Sequence, residues 1–442
     1  MSTNRIRLGL YSMPPASHHS VATWKLARNA TRGLQFDRLG LWKQTAQLAE
    51  QAKFDFVFAA DTSGIYSEYG DSHEAAVRYA LQVPCFDATI LMAALGAVTD
   101  HIGVIATQST IGTAPYVVAR KFATIDHLTG GRSGWNVVSG THKNAAQNLG
   151  LDALPEHDER YEQIDEFVEV AQKLWNSWDE DAVVLDIEND VFADPSKVHT
   201  IDHEGKYFRS RGPLNIHRSP QGGPALVQAG SSPRGRRSAA RFAEAIFSIQ
   251  PTRAGMKAYR DDLRRIAEEE FGRDPDSIKV LHSIQPFVGE TEEIAKAKLE
   301  LHNTLVSPEA GVALLSGHIG VDLSTRDPEA LTATLSDAPG ARGIATIYAA
   351  EPDQDISVGE LGQFYGRNVL SPQVVGTGEQ IADWIEETID QVGGDGFMIS
   401  PATLPSSLED FVDLVVPELQ RRGLVRADYI PGSTLRTLLT ED

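Results

Sequence analysis

The feature that most constrains this chain is a rhythm of short β-type apolar runs alternating with longer stretches of helical periodicity. Eight runs read as strands: "IRLGLY" (6–11), "FDFVFAAD" (54–61), "HIGVIATQST" (101–110), "RSGWNVVSG" (132–140), "ALVQAG" (225–230), "EAIFSI" (244–249), "IKVLHSIQPFV" (278–288) and "DGFMIS" (395–400). Helical patterns follow them at 36–53, 87–99, 115–128 and 159–175, from about Pro233, on to Glu270, from Glu292 to about Leu305, at 378–392 and at 408–422. Strict βα alternation implies a parallel sheet. Eight such units imply a closed (β/α)8 TIM barrel, an α/β fold, rather than a doubly wound sheet. A length of 442 residues would alone permit two average domains, so the strand count decides in favour of one barrel over 1–442. Two insertions break the rhythm. One, at about 176–223, is rich in Asp, Gly, Pro and His and reads as an excursion carrying a hairpin. The other, at about 306–375, is the longest, follows strand 7 and is expected over the barrel mouth.

Charge and cysteine usage narrow the partners. With 61 acidic and 40 basic residues, the formal charge of −21 suits neither nucleic acid nor an anionic membrane. The single cysteine, Cys85, excludes an internal disulfide and any multi-cysteine metal site, which fits a cytoplasmic location. "MSTNRIRLGLYSM" carries no long apolar core, and no window approaches a membrane-spanning run.

In a barrel, function belongs at the C-terminal strand tips. Here these are Tyr11-Ser12, Asp61-Thr62, Thr107-Gln108-Ser109, Ser139, Gly230-Ser231-Ser232, Gln250, Gln285 and Ser400, mostly hydroxyls and amides. A two-carboxylate hydrolase needs paired acids, and only Asp61 sits clearly at a tip. His142, His157, His199 and His203 are scattered without ligand spacing, so no metal site is expected. Gly230-Ser231-Ser232 stands between a strand and a helix opened by Pro233. Such a helix N-terminus can bind phosphate, or a serine there can simply cap the helix. His157 and Tyr161 lie four residues apart on one helix face, either as a capping and a packing residue or as part of the same site. In "IDHLTGGRSGWNVVSG" (125–140), Gly130-Gly131 is expected to end a helix before the fourth strand.

The segments "FVFAAD", "GVIATQST…APYVVARKFATIDHLTGGRSGWNVVSG", "NAAQNLG", "EHDERYEQIDEFVEVAQKLW", "HEGKYFRSRGPL" and "PALVQAGSSPRGRRSAARFAEAIF" occur in the order expected of one family. Together they resemble the flavin-dependent monooxygenases of the bacterial luciferase-like superfamily, in the branch of the nitrilotriacetate, dibenzothiophene sulfone and long-chain alkane monooxygenases. The resemblance implies a barrel that binds reduced FMN (FMNH2) supplied by a separate NAD(P)H-dependent flavin reductase. With O2 as co-substrate it would act through a flavin C4a-(hydro)peroxide on a small organic substrate, by hydroxylation or by C–N or C–S cleavage. It also implies a homodimer or homotetramer. Carried over by position, Asp61 and Thr107 would contact the isoalloxazine and Asn136 and Ser139 would line the flavin site. His157, Tyr161, Ser231 and Ser232 would hold the ribityl chain and phosphate. His19, Tyr66 and His318 are the candidate catalytic residues on the substrate side. An F420-dependent oxidoreductase and a non-catalytic flavin-binding protein are the alternatives of the same fold. Two departures stand out. Relatives usually read "WNVVTS" where this chain has Ser139-Gly140, and "H-x-x-A-W-R" where it has "HHSVATWK".

Overall fold

The computed structural model describes residues 5–14, 19–26, 37–140, 143–330 and 356–440. Eight parallel strands close into a barrel: β1 (Arg7–Ser12), β2 (Phe56–Ala59), β3 (Gly103–Ser109), β4 (Ser133–Val138), β5 (Ala225–Gln228), β6 (Ala245–Ser248), β7 (Lys279–Val288) and β8 (Gly396–Ile399). Closure comes from the pairing of β8 with β1, in which Arg7 faces Gly396, and of β6 with β7. All eight are the strands expected from the sequence, and the closed barrel is the expected fold.

Side-chain alternation divides each strand between two cores. Leu8, Leu10, Val57, Val104, Trp135, Val137, Ile246 and Phe397 face the helices and share their apolar cluster. Tyr11, Phe56, Phe58, Ile105, Val227, Phe247, Leu281 and Met398 fill the barrel. The filling needs gaps as well as bulk: a Cβ at Gly9 would lie 2.4 Å from the Phe56 ring and 2.5 Å from Met398 Sδ. Trp135 is therefore an outward anchor. It stacks on Phe122 at 5.5 Å and meets Trp175 edge-on at 6.3 Å, while its Nε1 donates to Gln108 O at 3.0 Å. The helix Pro115–Leu128 before it ends as expected, with Gly130 and Gly131 at φ 64° and 89° and Gly131 N donating to Asp126 O.

The last helix, Leu435–Thr440, plugs the N-terminal end of the barrel. Leu435 and Leu439 belong to the interior cluster, and a Cβ at Gly103 or Gly134 would come within 2.5 or 2.8 Å of Leu435. The plug is held by charge. Arg426 makes two hydrogen bonds to Asp55 Oδ1 (3.1 and 2.9 Å), Asp55 Oδ2 accepts Leu8 N at 2.8 Å, and Arg436 pairs with Glu244.

The insertions differ from expectation in detail. The first carries two short hairpins, Val183–Asp186 with Val191–Ala193 and His203–Glu204 with Arg209–Ser210, where one was expected. The second contains helices Pro308–Ile319 and Val358–Asn368, then a strand, Gln373–Gly376, that pairs with the outer half of β7 from Gln285 to Val288. This pairing was not expected from the sequence; it forms because β7 is long enough to serve two sets of partners in turn, β6 and β8 with its first half and the insertion strand with its second. The last helical pattern, expected as one helix over 408–422, is broken into Ser406–Leu414 and Val416–Arg421 around Pro417, which cannot donate to the helical ladder.

Because Leu435 fills space that two glycines leave open, Leu435→Ala should cost roughly 2–5 kcal/mol, read as a lower urea midpoint at unchanged slope. A loss well under 1 kcal/mol would show that the tail covers the barrel without packing into it.

Candidate active site

The rim at the C-terminal strand ends carries the polar residues. Thr107 on β3 and Asn136 on β4 are cross-strand neighbours, and Asn136 Nδ2 donates to Thr107 Oγ1 at 2.9 Å. Both are buried, and Asn136 Oδ1 has no partner, so it is an unused acceptor at the rim. Ser139 follows, half-buried, its hydroxyl near Gly140 O at 3.4 Å. Gly140 has a physical reason: its φ is 68°, a left-handed conformation that disfavours the hydroxyl residue usual in relatives. The turn aims its carbonyl at Arg160, whose Nη1 donates to it. Arg160 was not anticipated from the sequence, because nothing in "HDERYEQ" separates it from an ordinary surface arginine on a helix. Desolvation pulls its pKa down, and its Nε is buried without a partner.

Arg160 leads to the start of helix Pro233–Phe242. Ser232 is the N-cap, accepting Gly235 N at 3.0 Å, so the capping reading holds for it. Ser231 beside it is exposed. Tyr161, from helix His157–Trp175, lies against this turn. A Cβ at Gly235 would be 2.7 Å from its hydroxyl, so that glycine makes the approach possible. Burial raises the Tyr161 pKa, opposed by a hydrogen bond with Ser232 and by Arg160 and Arg234. Arg234 sits 5.7 Å over the Tyr161 ring and pairs with Asp165 at 2.8 Å. The Tyr161 and Ser232 hydroxyls, the Arg160 and Arg234 guanidiniums and a helix N-terminus thus come together, with Ser231 next in sequence, a type of donor set that suits a phosphate. His157 is peripheral: exposed, 5.1 Å from the Tyr161 ring, with Nδ1 on Asp158 at 2.7 Å.

Asp61 lies just past β2. Its Oδ2 accepts Ala88 N at 3.0 Å and its Oδ1 is 3.9 Å from Cys85 Sγ. Burial, assisted by the charge of Asp87, pushes its pKa up from 3.8 to about 6, and burial beside Asp61 pushes the Cys85 thiol up to about 12.

A second group lies under the long insertion. Helices Pro308–Ile319 and Val358–Asn368 cross so closely that a Cβ at Gly311 would be 2.0 Å from Gly362 O. Their core, with Leu314, Leu361 and Tyr365, also takes in Val21 from the segment after β1 and Tyr66 and Leu81 from the loop after β2. There His318 Nε2 is 2.7 Å from Tyr66 Oη, its Nδ1 2.5 Å from Tyr365 Oη, and Tyr66 Oη 2.6 Å from Gln82 Oε1. Desolvation lowers the His318 pKa to about 4, so the ring is neutral at pH 7. His19 packs tilted by 31° against Tyr11 at a centroid distance of 4.0 Å, and Tyr11 in turn acts electrostatically on Tyr66. The structure joins Tyr66 directly to His318, while His19 packs on Tyr11. Gln82 and Tyr365 were missed; both lie outside the strand tips, in loop and insertion sequence where neither periodicity nor spacing marks them.

A closed (β/α)8 barrel with a hydroxyl- and arginine-lined turn after its fifth strand and a buried His318–Tyr66 pair under its long insertion has the layout of a barrel enzyme. A family model described as luciferase-like monooxygenase matches residues 20–396, and the chain belongs to that family. It is a flavin-dependent monooxygenase. Dibenzothiophene-sulfone monooxygenase of Rhodococcus erythropolis is 43% identical over 401 residues, 89% of this chain and 88% of that one. Nitrilotriacetate monooxygenase component A of Aminobacter aminovorans is 39% identical, with 89% and 88% covered. A crystal structure of riboflavin lyase with modified FMN and substrate riboflavin superposes with a TM-score of 0.88 at 35% identity, with 99% of this chain and 96% of that one covered. Among the described residues, no helix is long and apolar enough to cross a membrane.

The raised pKa of Asp61 favours its protonated form in the fold, so its contribution to stability is present at low pH and lost as pH rises through about 6. Asp61→Asn should therefore stabilise the protein by an amount that grows from pH 5 to pH 8, reaching at most about 3 kcal/mol. Urea denaturation at the two pH values checks this, and an equal effect at both would contradict it.

Proposed function

We propose that this protein is the oxygenase component of a two-component system. It takes FMNH2 from an NAD(P)H-dependent flavin reductase and uses O2 to hydroxylate a small organic molecule or to cleave its C–N or C–S bond. The observation that carries the reading is the continuous rim from Thr107 and Asn136 through Arg160 to Tyr161, Ser231 and Ser232, polar at every step and cationic at the phosphate end. That rim fits a flavin mononucleotide: the unused Asn136 Oδ1 can accept from its polar edge, and the cradle at Pro233 can hold its phosphate. The relative named component A supports the separate reductase, and the relative crystallised with modified FMN supports the cofactor.

Bound reduced flavin supplies the electrons that activate O2. The chain's own residues do the rest. Asp61, Thr107, Asn136 and Ser139 orient the ring system; Tyr161, Ser231 and Ser232, with His157 at the margin, fix its tail. The apolar core of the long insertion keeps water from the mouth, which protects a reactive oxygen species from wasteful discharge. His19, Tyr66 and His318 face the substrate side, where Tyr66 Oη holds a proton within reach of a neutral imidazole. The whole chain serves as one barrel unit, working as a homodimer or homotetramer in the cytoplasm.

Tyr161→Phe combined with Ser231→Ala should weaken FMNH2 binding by about 10- to 100-fold with the fold retained, as read by anaerobic titration. Unchanged affinity would remove the phosphate from this cradle. With an added reductase, NADH and FMN, a panel of sulfones, thioethers, amines and alkanes should give O2-dependent product above the reductase-only control; a pure flavin-binding protein would give none.

A further inference from the structure

The four polar groups under the long insertion form a chain whose direction can be read. Gln82 presents its amide oxygen, 2.6 Å from Tyr66 Oη and 3.4 Å from His318 Nε2. A carbonyl oxygen has no proton to give, so Tyr66 donates to it. Tyr66 then has no second proton, and its oxygen must accept from His318 Nε2 at 2.7 Å. A neutral imidazole carries a single N–H. With that proton on Nε2, Nδ1 is a bare acceptor, and Tyr365 Oη at 2.5 Å must donate to it. Each hydroxyl and the ring thus point the same way, from Tyr365 through His318 and Tyr66 to Gln82.

We propose that Tyr365 is a positioning residue: by donating to His318 Nδ1 it holds the ring in the Nε2–H tautomer, which keeps Tyr66 a proton donor. The consequence for Tyr66 is direct. An N–H donated to its oxygen stabilises the phenolate that remains when Tyr66 gives its proton away, whereas the opposite tautomer would tie that proton to Nε2. Tyr365 is well placed to do this. It is buried, at 3% exposure, with its ring edge-on to His318 at a centroid distance of 5.5 Å and 80°. Its own position is set by the glycine crossing, since a Cβ at Gly366 beside it would be 2.9 Å from Gly311 Cα. Tyr66 is seated the same way: a Cβ at Gly317, next to His318, would lie 2.3 Å from the Tyr66 ring. Burial raises the pKa of both tyrosines, so both hydroxyls carry their protons at neutral pH.

The inference rests on the reading of His318 and Tyr66 as the substrate-side pair, but its tautomer measurement does not. Nitrogen-15 NMR of the full chain with labelled histidine, His318 being assigned by loss of its signals in His318→Gln, reads the tautomer directly. The wild type should show His318 as the neutral Nε2–H form from pH 6 to 8, and Tyr365→Phe should populate both tautomers. The same variant should lose ~10-fold in product formed per FMNH2 consumed, with FMNH2 affinity and substrate KM unchanged, since a misdirected proton affects the chemical step rather than binding. A wild-type Nδ1–H form, which a reversed Gln82 amide would give, overturns the proposal whether or not the variant folds. Retention of the pure Nε2–H form in Tyr365→Phe overturns it as well. Full coupled turnover in His318→Gln would instead overturn the substrate-side reading and leave the tautomer result standing.

Discussion

The closure of eight parallel strands, with β1 paired on one side to β2 and on the other to β8, fixes where every functional side chain sits. Once the ring is closed, inward and outward positions alternate without choice. Thr107 and Asn136 must then be neighbours at the mouth, and Trp135 must face the helices. The closed ring also has to be filled. Phe56, Phe58, Phe247 and Met398 do this against glycines, and Leu435 and Leu439 enter from the far end on the C-terminal helix. The rim is therefore a rigid platform, and a cofactor's polar edge can be met by side chains whose geometry is set before it arrives.

The two halves of the site use opposite electrostatics. The proposed phosphate end gathers Arg160, Arg234 and a helix N-terminus around the Tyr161 and Ser232 hydroxyls, in a chain whose net charge is −21. Cations so placed favour a small bound anion while the overall charge disfavours polyanions. The insertion end instead removes charge. His318 is held neutral by desolvation, and Tyr66 and Tyr365 stay protonated. An uncharged, apolar environment of this kind is suited to the oxygen chemistry proposed for the site.

Much of this was legible in the sequence, for identifiable reasons. The barrel was readable because strand and helix periodicities differ and because the tips carry hydroxyls and amides where a barrel places function. "AGSSPRG" announced its turn through Pro233 and the glycines. What stayed hidden depends on contacts between distant segments. Tyr365 and Gln82 are 283 residues apart in sequence (365 minus 82) and are linked through His318 and Tyr66 because two insertion helices cross at glycines and the loop after β2 reaches up to them. Arg160 gains its role from the left-handed turn at Gly140, which was visible only as a departure from relatives. The second hairpin of the first insertion and the extra strand beside β7 are short pairings that no local pattern marks.

The central claim is that this platform holds reduced flavin so that one oxygen atom from O2 enters an organic substrate. Turnover under isotopically labelled O2, with a flavin reductase regenerating FMNH2 and the product followed by mass spectrometry, tests it most directly. The account predicts one labelled oxygen atom per product molecule and no product under anaerobic conditions. Product that forms without O2, or that takes its oxygen from water, would contradict it.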